Sequence, residues 1–170
     1  MLVVFSGLPG VGKTTIAREL ARITGGVYVR IDSIEQALRD AGSQVQGEGY
    51  GAARAVAEDN LRLGRTVIAD CVNPWPLTRS EWHSVADRAG VAALDVEIVC
   101  SDADEHRRRV ESRCADITGH RLPTWPEVIG RDYHAWDSER LVIDTARLNA
   151  GQCVRMILSA VSAAGSDGAP

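Results

Sequence analysis

Apolar and polar positions along this chain follow two registers in alternation. Short apolar runs occupy Leu2 to Ser6, Val27 to Arg30, Thr66 to Asp70, Ala93 to Cys100 and Leu141 to Asp144, and amphipathic stretches of helical period lie between them. Five strands alternating with helices predict a parallel sheet covered on both faces. After the first strand, Ile16, Ala17, Leu20, Ala21, Ile23 and Thr24 keep helical spacing, and Gly25 with Gly26 stops the helix. Ser33 to Ala41 and Gly51 to Leu63 predict two more helices joined by a glycine- and glutamine-rich loop, Gly42 to Tyr50. This paired insertion, about residues 33–64, is expected to move over a substrate. Asp102 with Glu105 predicts a capped helix through Cys114, with Ala103, Val110 and Cys114 on its buried side. Pro123 to Pro126 breaks the pattern before a helix around Glu127 to Trp136, and residues 103–135 together form a candidate lid. A last helix, Asn149 to Ala163, closes a single domain of residues 1–163 ahead of a flexible tail at 164–170.

Composition narrows the function. With 170 residues, 45% hydrophobic and 25% charged, the chain is long enough for one core and too short for two large domains. The net charge of −4 argues against a protein built to coat nucleic acid or an anionic membrane, although a local basic patch stays open. The start carries neither a basic leader nor a span-length apolar run, so a cytoplasmic protein is expected, monomeric or homodimeric. Cys71, Cys100, Cys114 and Cys153 have no paired spacing and are expected as reduced core residues. Of 19 basic residues, only Lys13 is lysine. Coding bias toward arginine explains the rest, and the exception points to a site that needs a compact ammonium.

Lys13 lies in Gly7-Leu8-Pro9-Gly10-Val11-Gly12-Lys13-Thr14, a full GxxxxGKT motif directly after a strand and directly before a helix. Glycines there let backbone N–H groups turn inward on a β-phosphate, and the helix start adds donors and a favourable dipole. Lys13 is placed on the β- and γ-phosphate oxygens, Thr14 on magnesium and Thr15 on the α-phosphate. With no other lysine, an Asn-Lys-x-Asp guanine motif is impossible, and Cys71 after Asp70 leaves water activation without an agent. Transfer to an acceptor therefore fits better than hydrolysis.

The strand ends supply the remaining candidates, since ligands bind outside the carboxyl ends of strands in an open parallel sheet. Asp32 can orient an acceptor hydroxyl and take its proton, or cap the helix beginning at Ser33. Arg30 can bind an anionic part of the acceptor, and Arg54 is a further candidate contact. Asp70 is the candidate to hold magnesium beside Thr14. Asn73 and Arg79 follow in a loop and helix start, where Arg79 could clamp the acceptor. Arg109 and Arg113 share one flank of the arginine-rich helix and, with Arg121, could close on the triphosphate. Trp75 and Trp125 could line the acceptor pocket.

Taken together, GLPGVGKTT, RIDSIEQAL, ADCVNPWPLTR, the RRRVESR helix, WPEVIGRDYHAW and VIDTA resemble the small P-loop kinases of the AAA_33-like group. Gluconate, shikimate and adenylylsulfate kinases, chloramphenicol phosphotransferase and zeta toxins are kin to that group. The resemblance implies a three-layer α/β/α sandwich of the nucleoside-monophosphate-kinase type, with a five-stranded parallel sheet and a helical lid. It implies Asp32 as the acceptor contact and base, the arginine helix as lid, and Thr145, Ala146 and Arg147 beside the nucleotide base. The Phe-Ile-Ser-Pro of adenylylsulfate kinases is Cys-Val-Asn-Pro here, which argues against adenylylsulfate as acceptor. The expected activity is transfer of the γ-phosphate of ATP, with Mg2+, to a hydroxyl of a small metabolite or antibiotic. GTP or another nucleoside triphosphate stays open as donor. A nucleoside, nucleotide or polynucleotide 5′-hydroxyl kinase and a non-catalytic nucleotide-binding module are the alternatives.

Overall fold

The computed structural model describes residues 1–166 and joins all five predicted strands in one parallel sheet. The strands are β1 (Leu2–Ser6), β2 (Val27–Arg30), β3 (Val67–Asp70), β4 (Ala93–Val99) and β5 (Leu141–Asp144), in the spatial order β2-β3-β1-β4-β5. Central β1 is buried along its whole length, as its uninterrupted apolar run requires. Alternate residues of the strands feed two cores. Val3, Phe5, Ile68, Val96, Ile98 and Ile143 pack against α1 (Lys13–Thr24) and α7 (Ala150–Ser166). Leu2, Val4, Val29, Val67 and Ala69 pack against α3 (Glu48–Arg62) and α4 (Pro76–Ala89).

Helix boundaries depart from expectation where long-range contacts intervene. Helix α2 spans Ile31–Asp40, so extended Arg30 passes straight from β2 into a helix two residues earlier than predicted. Helix α3 begins at Glu48, whose carboxylate accepts from the N–H groups of Gln46 and Gly47. Helix α5 spans Ala103–Ser112, capped by Asp102 accepting from the Glu105 N–H at 3.0 Å as predicted. Its buried residues are His106 and Val110, whereas Ala103 and Cys114 are exposed. Cys100 is half-buried, so only Cys71 and Cys153 are core thiols, and all four cysteines are free. Helix α7 continues to Ser166, three residues into the expected tail, and residues 167–170 lie outside the described residues.

The largest revision concerns α6, which spans only Trp125–Ile129 and does not reach Trp136. Arg79, 3% exposed, explains the difference. Its guanidinium donates to the carbonyls of His134 at 2.7 Å and Ala135 at 3.1 Å, and the His134 N–H, which a longer helix would use internally, donates to the Pro74 carbonyl at 2.9 Å. It also donates to the carbonyls of Asn73 and Pro74 and stacks 4.0 Å over the Trp136 ring. Asn73 is fully buried with φ 50°, and its side chain donates to Ser6 Oγ at 3.0 Å. Arg79 and Asn73 are therefore internal fasteners and not the acceptor contacts that their strand-end position suggested.

Replacing Arg79 by Met should strand the carbonyls of Asn73, His134 and Ala135, while Pro74 keeps the His134 N–H, and should destabilise the fold by about 2–4 kcal/mol. Denaturant melts should show that loss while nucleotide affinity at low temperature stays unchanged; a loss of affinity with stability intact would return Arg79 to the site.

Candidate active site

Residues 7–12 connect β1 to α1 as a loop that only glycine can build at its fixed positions. Gly7 has φ +132°, and a Cβ there would lie 2.2 Å from the Ile98 carbonyl oxygen. At Gly10, φ +87°, a Cβ would lie 2.5 Å from Val110 Cγ2 of α5. Gly12, φ +103°, is the left-handed N-cap of α1. Leu8, Pro9 and Val11 complete the loop. The Pro9 carbonyl accepts from His106 Nε2 at 2.8 Å and the Val11 carbonyl from Thr145 Oγ1 at 2.8 Å. Lys13 is buried with its ammonium donating to the Leu8 carbonyl at 2.9 Å. Burial pulls its pKa below the ordinary lysine value, and Asp70 and Asp32 oppose that shift.

A cavity of about 1380 Å3 opens beside this loop and brings together Lys13, Thr14, Thr15, Arg30, Asp32, Arg54, Asp70, Arg109, Arg113 and Arg121. Thr14 Oγ1 donates to Asp70 Oδ2 at 2.8 Å. Asp32 sits in the first turn of α2 with its side chain 45% exposed, and no side chain caps that helix. Its carboxylate therefore faces the cavity uncommitted except for Arg30 at 3.6 Å. Arg113 turns away from the end of α5, its Nε buried without a hydrogen-bond partner. Burial lowers its pKa, with Asp32 acting the other way.

Other expected contacts are engaged elsewhere. Arg109 is held by Glu105 at 2.7 Å and by the hydroxyl and carbonyl of Thr145 at 2.8 and 3.0 Å, on the side of the β5 loop. Arg54 pairs with Glu81 at 2.7 Å and Arg121 with Glu127 at 2.6 Å. Arg147 pairs with Asp144 and does not line the cavity. Trp75 lines the cavity, whereas Trp125 packs edge-on against His106.

The sequence matches the AAA_33 family, an AAA domain, over residues 2–124. The chain belongs to the AAA_33 family. It is 31% identical over 173 residues to the uncharacterized proteins Rv2004c of Mycobacterium tuberculosis and Mb2027c of Mycobacterium bovis, covering 81% of this chain. It spans 35% of the length of those relatives. Among solved structures, the APS kinase of Mycobacterium tuberculosis in complex with AMPPNP and APS superposes with a TM-score of 0.73 at 18% identity, covering 95% of this chain and 96% of that one. A gluconokinase from Sinorhizobium meliloti 1021 gives 0.66 at 16% identity, covering 96% and 93%. These likenesses establish the fold of the small P-loop kinases, and the phosphate loop of this AAA_33 chain implies nucleotide binding.

The residues present fit magnesium. One hydroxyl, Thr14, and one buried carboxylate, Asp70, stand together, the small hard-oxygen set that Mg2+ takes when phosphate oxygens and water complete its shell. Among the described residues no cluster of three or more His, Cys, Asp and Glu side chains offers a rival metal site. No described helix is long and apolar enough to cross a membrane.

Two site residues escaped the sequence reading. Tyr28 donates to Asp70 Oδ2 at 2.6 Å; its place two residues before Arg30, on the same strand face, was the available signal. Asp116, in the loop after α5, accepts from both Arg30 guanidinium nitrogens at 2.8 and 3.1 Å and from Arg18 at 2.5 Å. Nothing local marks it. Asp116 ties the lid loop to α1 and β2, and the two arginines hold its carboxyl well below the ordinary aspartate value.

Because this pKa is depressed, the tie is fully present above the unfolded carboxyl value near ~3.9 and is lost only as pH falls through the lower folded value. Hydrogen exchange in residues 113–124, corrected for intrinsic rate, should then show the same protection at pH 7 and pH 5. Asp116→Asn should remove a solvent-screened pair worth about 1 kcal/mol and speed tryptic cleavage after Arg113 and Arg121 about fivefold. Unchanged cleavage would mean that the loop is held by other contacts.

Proposed function

We propose that this chain is an ATP- and Mg2+-dependent phosphotransferase that moves the γ-phosphate to a hydroxyl of a small molecule. The observation that carries this reading is the uncommitted Asp32 carboxylate in the same cavity as Lys13, Thr14 and Asp70. Beyond Asp32 the cavity continues along Gln36, Tyr50 and Trp75, leaving room for a second substrate.

Thr14 and Asp70 would hold the magnesium ion, which when bound offsets negative charge on the phosphate oxygens. Lys13 neutralises charge as the acceptor oxygen bonds to the γ-phosphorus and the bridging oxygen leaves with the ADP. Asp32 orients the acceptor hydroxyl and takes its proton in that step. Arg113, a cavity-lining guanidinium within 4 Å of no carboxylate among the described residues, would meet the charge on the transferring group. Arg109 supports the nucleotide side of the site through Thr145.

Arg107 and Arg108 of α5 are exposed and paired with Glu111 and Glu105. That pairing offsets the positive charge on the outer face of α5, which favours a small acceptor over a polynucleotide. The APS kinase and gluconokinase neighbours are consistent with that class, although their own acceptors are not carried over.

The test is magnesium-dependent ADP release from ATP against pooled sugars, nucleosides, hydroxy acids, hydroxylated antibiotics and short RNA ends. An acceptor-dependent signal that Lys13→Ala abolishes is expected. With that acceptor saturating, Asp32→Asn should lower kcat by about 10²–10⁴-fold and leave ATP affinity nearly intact. Nucleotide binding without stimulation by any acceptor would favour the non-catalytic module, and normal turnover in Asp32→Asn would remove Asp32 from catalysis.

A further inference from the structure

The Asp70 carboxylate is asymmetrically engaged. Oδ2 accepts from Thr14 Oγ1 at 2.8 Å and from the Tyr28 hydroxyl at 2.6 Å. Oδ1 makes no hydrogen bond among the described residues, and Asp70 lines the cavity. A competing partner stands nearby. Arg30 Nε lies 4.0 Å from Oδ2 and is itself buried without a hydrogen-bond partner, because Asp116 occupies only the two terminal nitrogens of that guanidinium. A small rotation of the carboxylate would close an internal ion pair between Asp70 and Arg30.

We propose that Tyr28 is a positioning residue for the magnesium site, its hydroxyl holding the Asp70 carboxylate away from Arg30 so that Oδ1 stays free to serve the ion. The inference rests on Thr14 and Asp70 being the metal site. Partners that orient a ligating carboxylate typically contribute as much to affinity as the position of the ligand itself requires, and their loss weakens metal binding without touching the ligand set. Tyr28 suits this task because its phenol O–H is a donor already directed at Oδ2, the oxygen that Thr14 also engages, which leaves Oδ1 toward the cavity. Its donor is carried by a rigid ring on β2, which pairs directly with β3; Tyr28 is registered with Ile68 and reaches Asp70 two residues along, so the hydrogen bond comes from the sheet and not from a mobile loop.

The experiment measures two affinities in parallel, neither of which depends on an acceptor. Calorimetry in EDTA gives ADP binding without metal, and electron paramagnetic resonance of free Mn2+ gives metal binding to the ADP-loaded protein. Tyr28→Phe keeps the ring and should leave metal-free ADP affinity unchanged while weakening Mn2+ binding about tenfold. Asp70→Asn should weaken it at least as much, and the double variant should lose no more than Asp70→Asn alone. Unchanged Mn2+ binding in Tyr28→Phe, a parallel fall in metal-free ADP affinity, or additive losses in the double variant would each overturn the proposal. If Asp70→Asn binds Mn2+ as the wild type does, the metal-site reading itself fails and takes the proposal with it.

Discussion

The Asp70 carboxylate is the node on which this site depends. It is only 3% exposed, and a buried carboxylate is tolerated when hydrogen bonds and opposite charge replace the lost water. Thr14 brings the start of α1 to it, Tyr28 and Arg30 bring β2, and Asp70 itself ends β3. Through Arg30 the connection extends to Asp116 and the loop after α5. The phosphate loop, β2 and the loop after α5 thus meet around a single negative charge, and a displacement of any one changes the field felt by the others.

A second constraint is the close approach of backbone to backbone around the phosphate loop. Gly7 lies against the Ile98 carbonyl, and Gly10 lies against Val110 with His106 bonded to the Pro9 carbonyl. The lid helix α5 is therefore seated on the phosphate loop, and Arg109 joins it to the β5 loop through Thr145. Past Ser112 the anchorage changes character, from packing to the ion pairs of Asp116. Helix α5 thus packs beside the phosphate loop, and the segment after it lines the cavity.

The two sides of the cavity differ in charge. Beside the phosphate loop, Lys13 and Arg113 lie within 4 Å of no carboxylate among the described residues. On the other side Arg30, Arg39 and Arg54 are matched by Asp116, Glu35 and Glu81. Solved structures at 16–18% identity share the fold, and a shared fold leaves the chemistry of the cavity to side chains such as these.

What the sequence by itself determined is what local chemistry can encode. The strands read directly because apolar runs and helical periods are properties of neighbours, and GxxxxGKT read directly because a turn of that shape needs those glycines in immediate succession. Asp32 and Asp70 were read as candidates from their place at strand ends, where an open parallel sheet collects its ligands, and Arg113 from its flank of the arginine-rich helix. Arg79 and Asn73 occupy the same kind of position and were misjudged, because whether a strand-end side chain turns to the cavity or to the core depends on segments that arrive from far along the chain. Tertiary structure alone decided that Arg79 binds carbonyls 55 and 56 residues away, that Tyr28 reaches Asp70 across 42, and that Asp116 closes on Arg30 across 86. Such contacts are set by where folding places whole elements, and no local period records them.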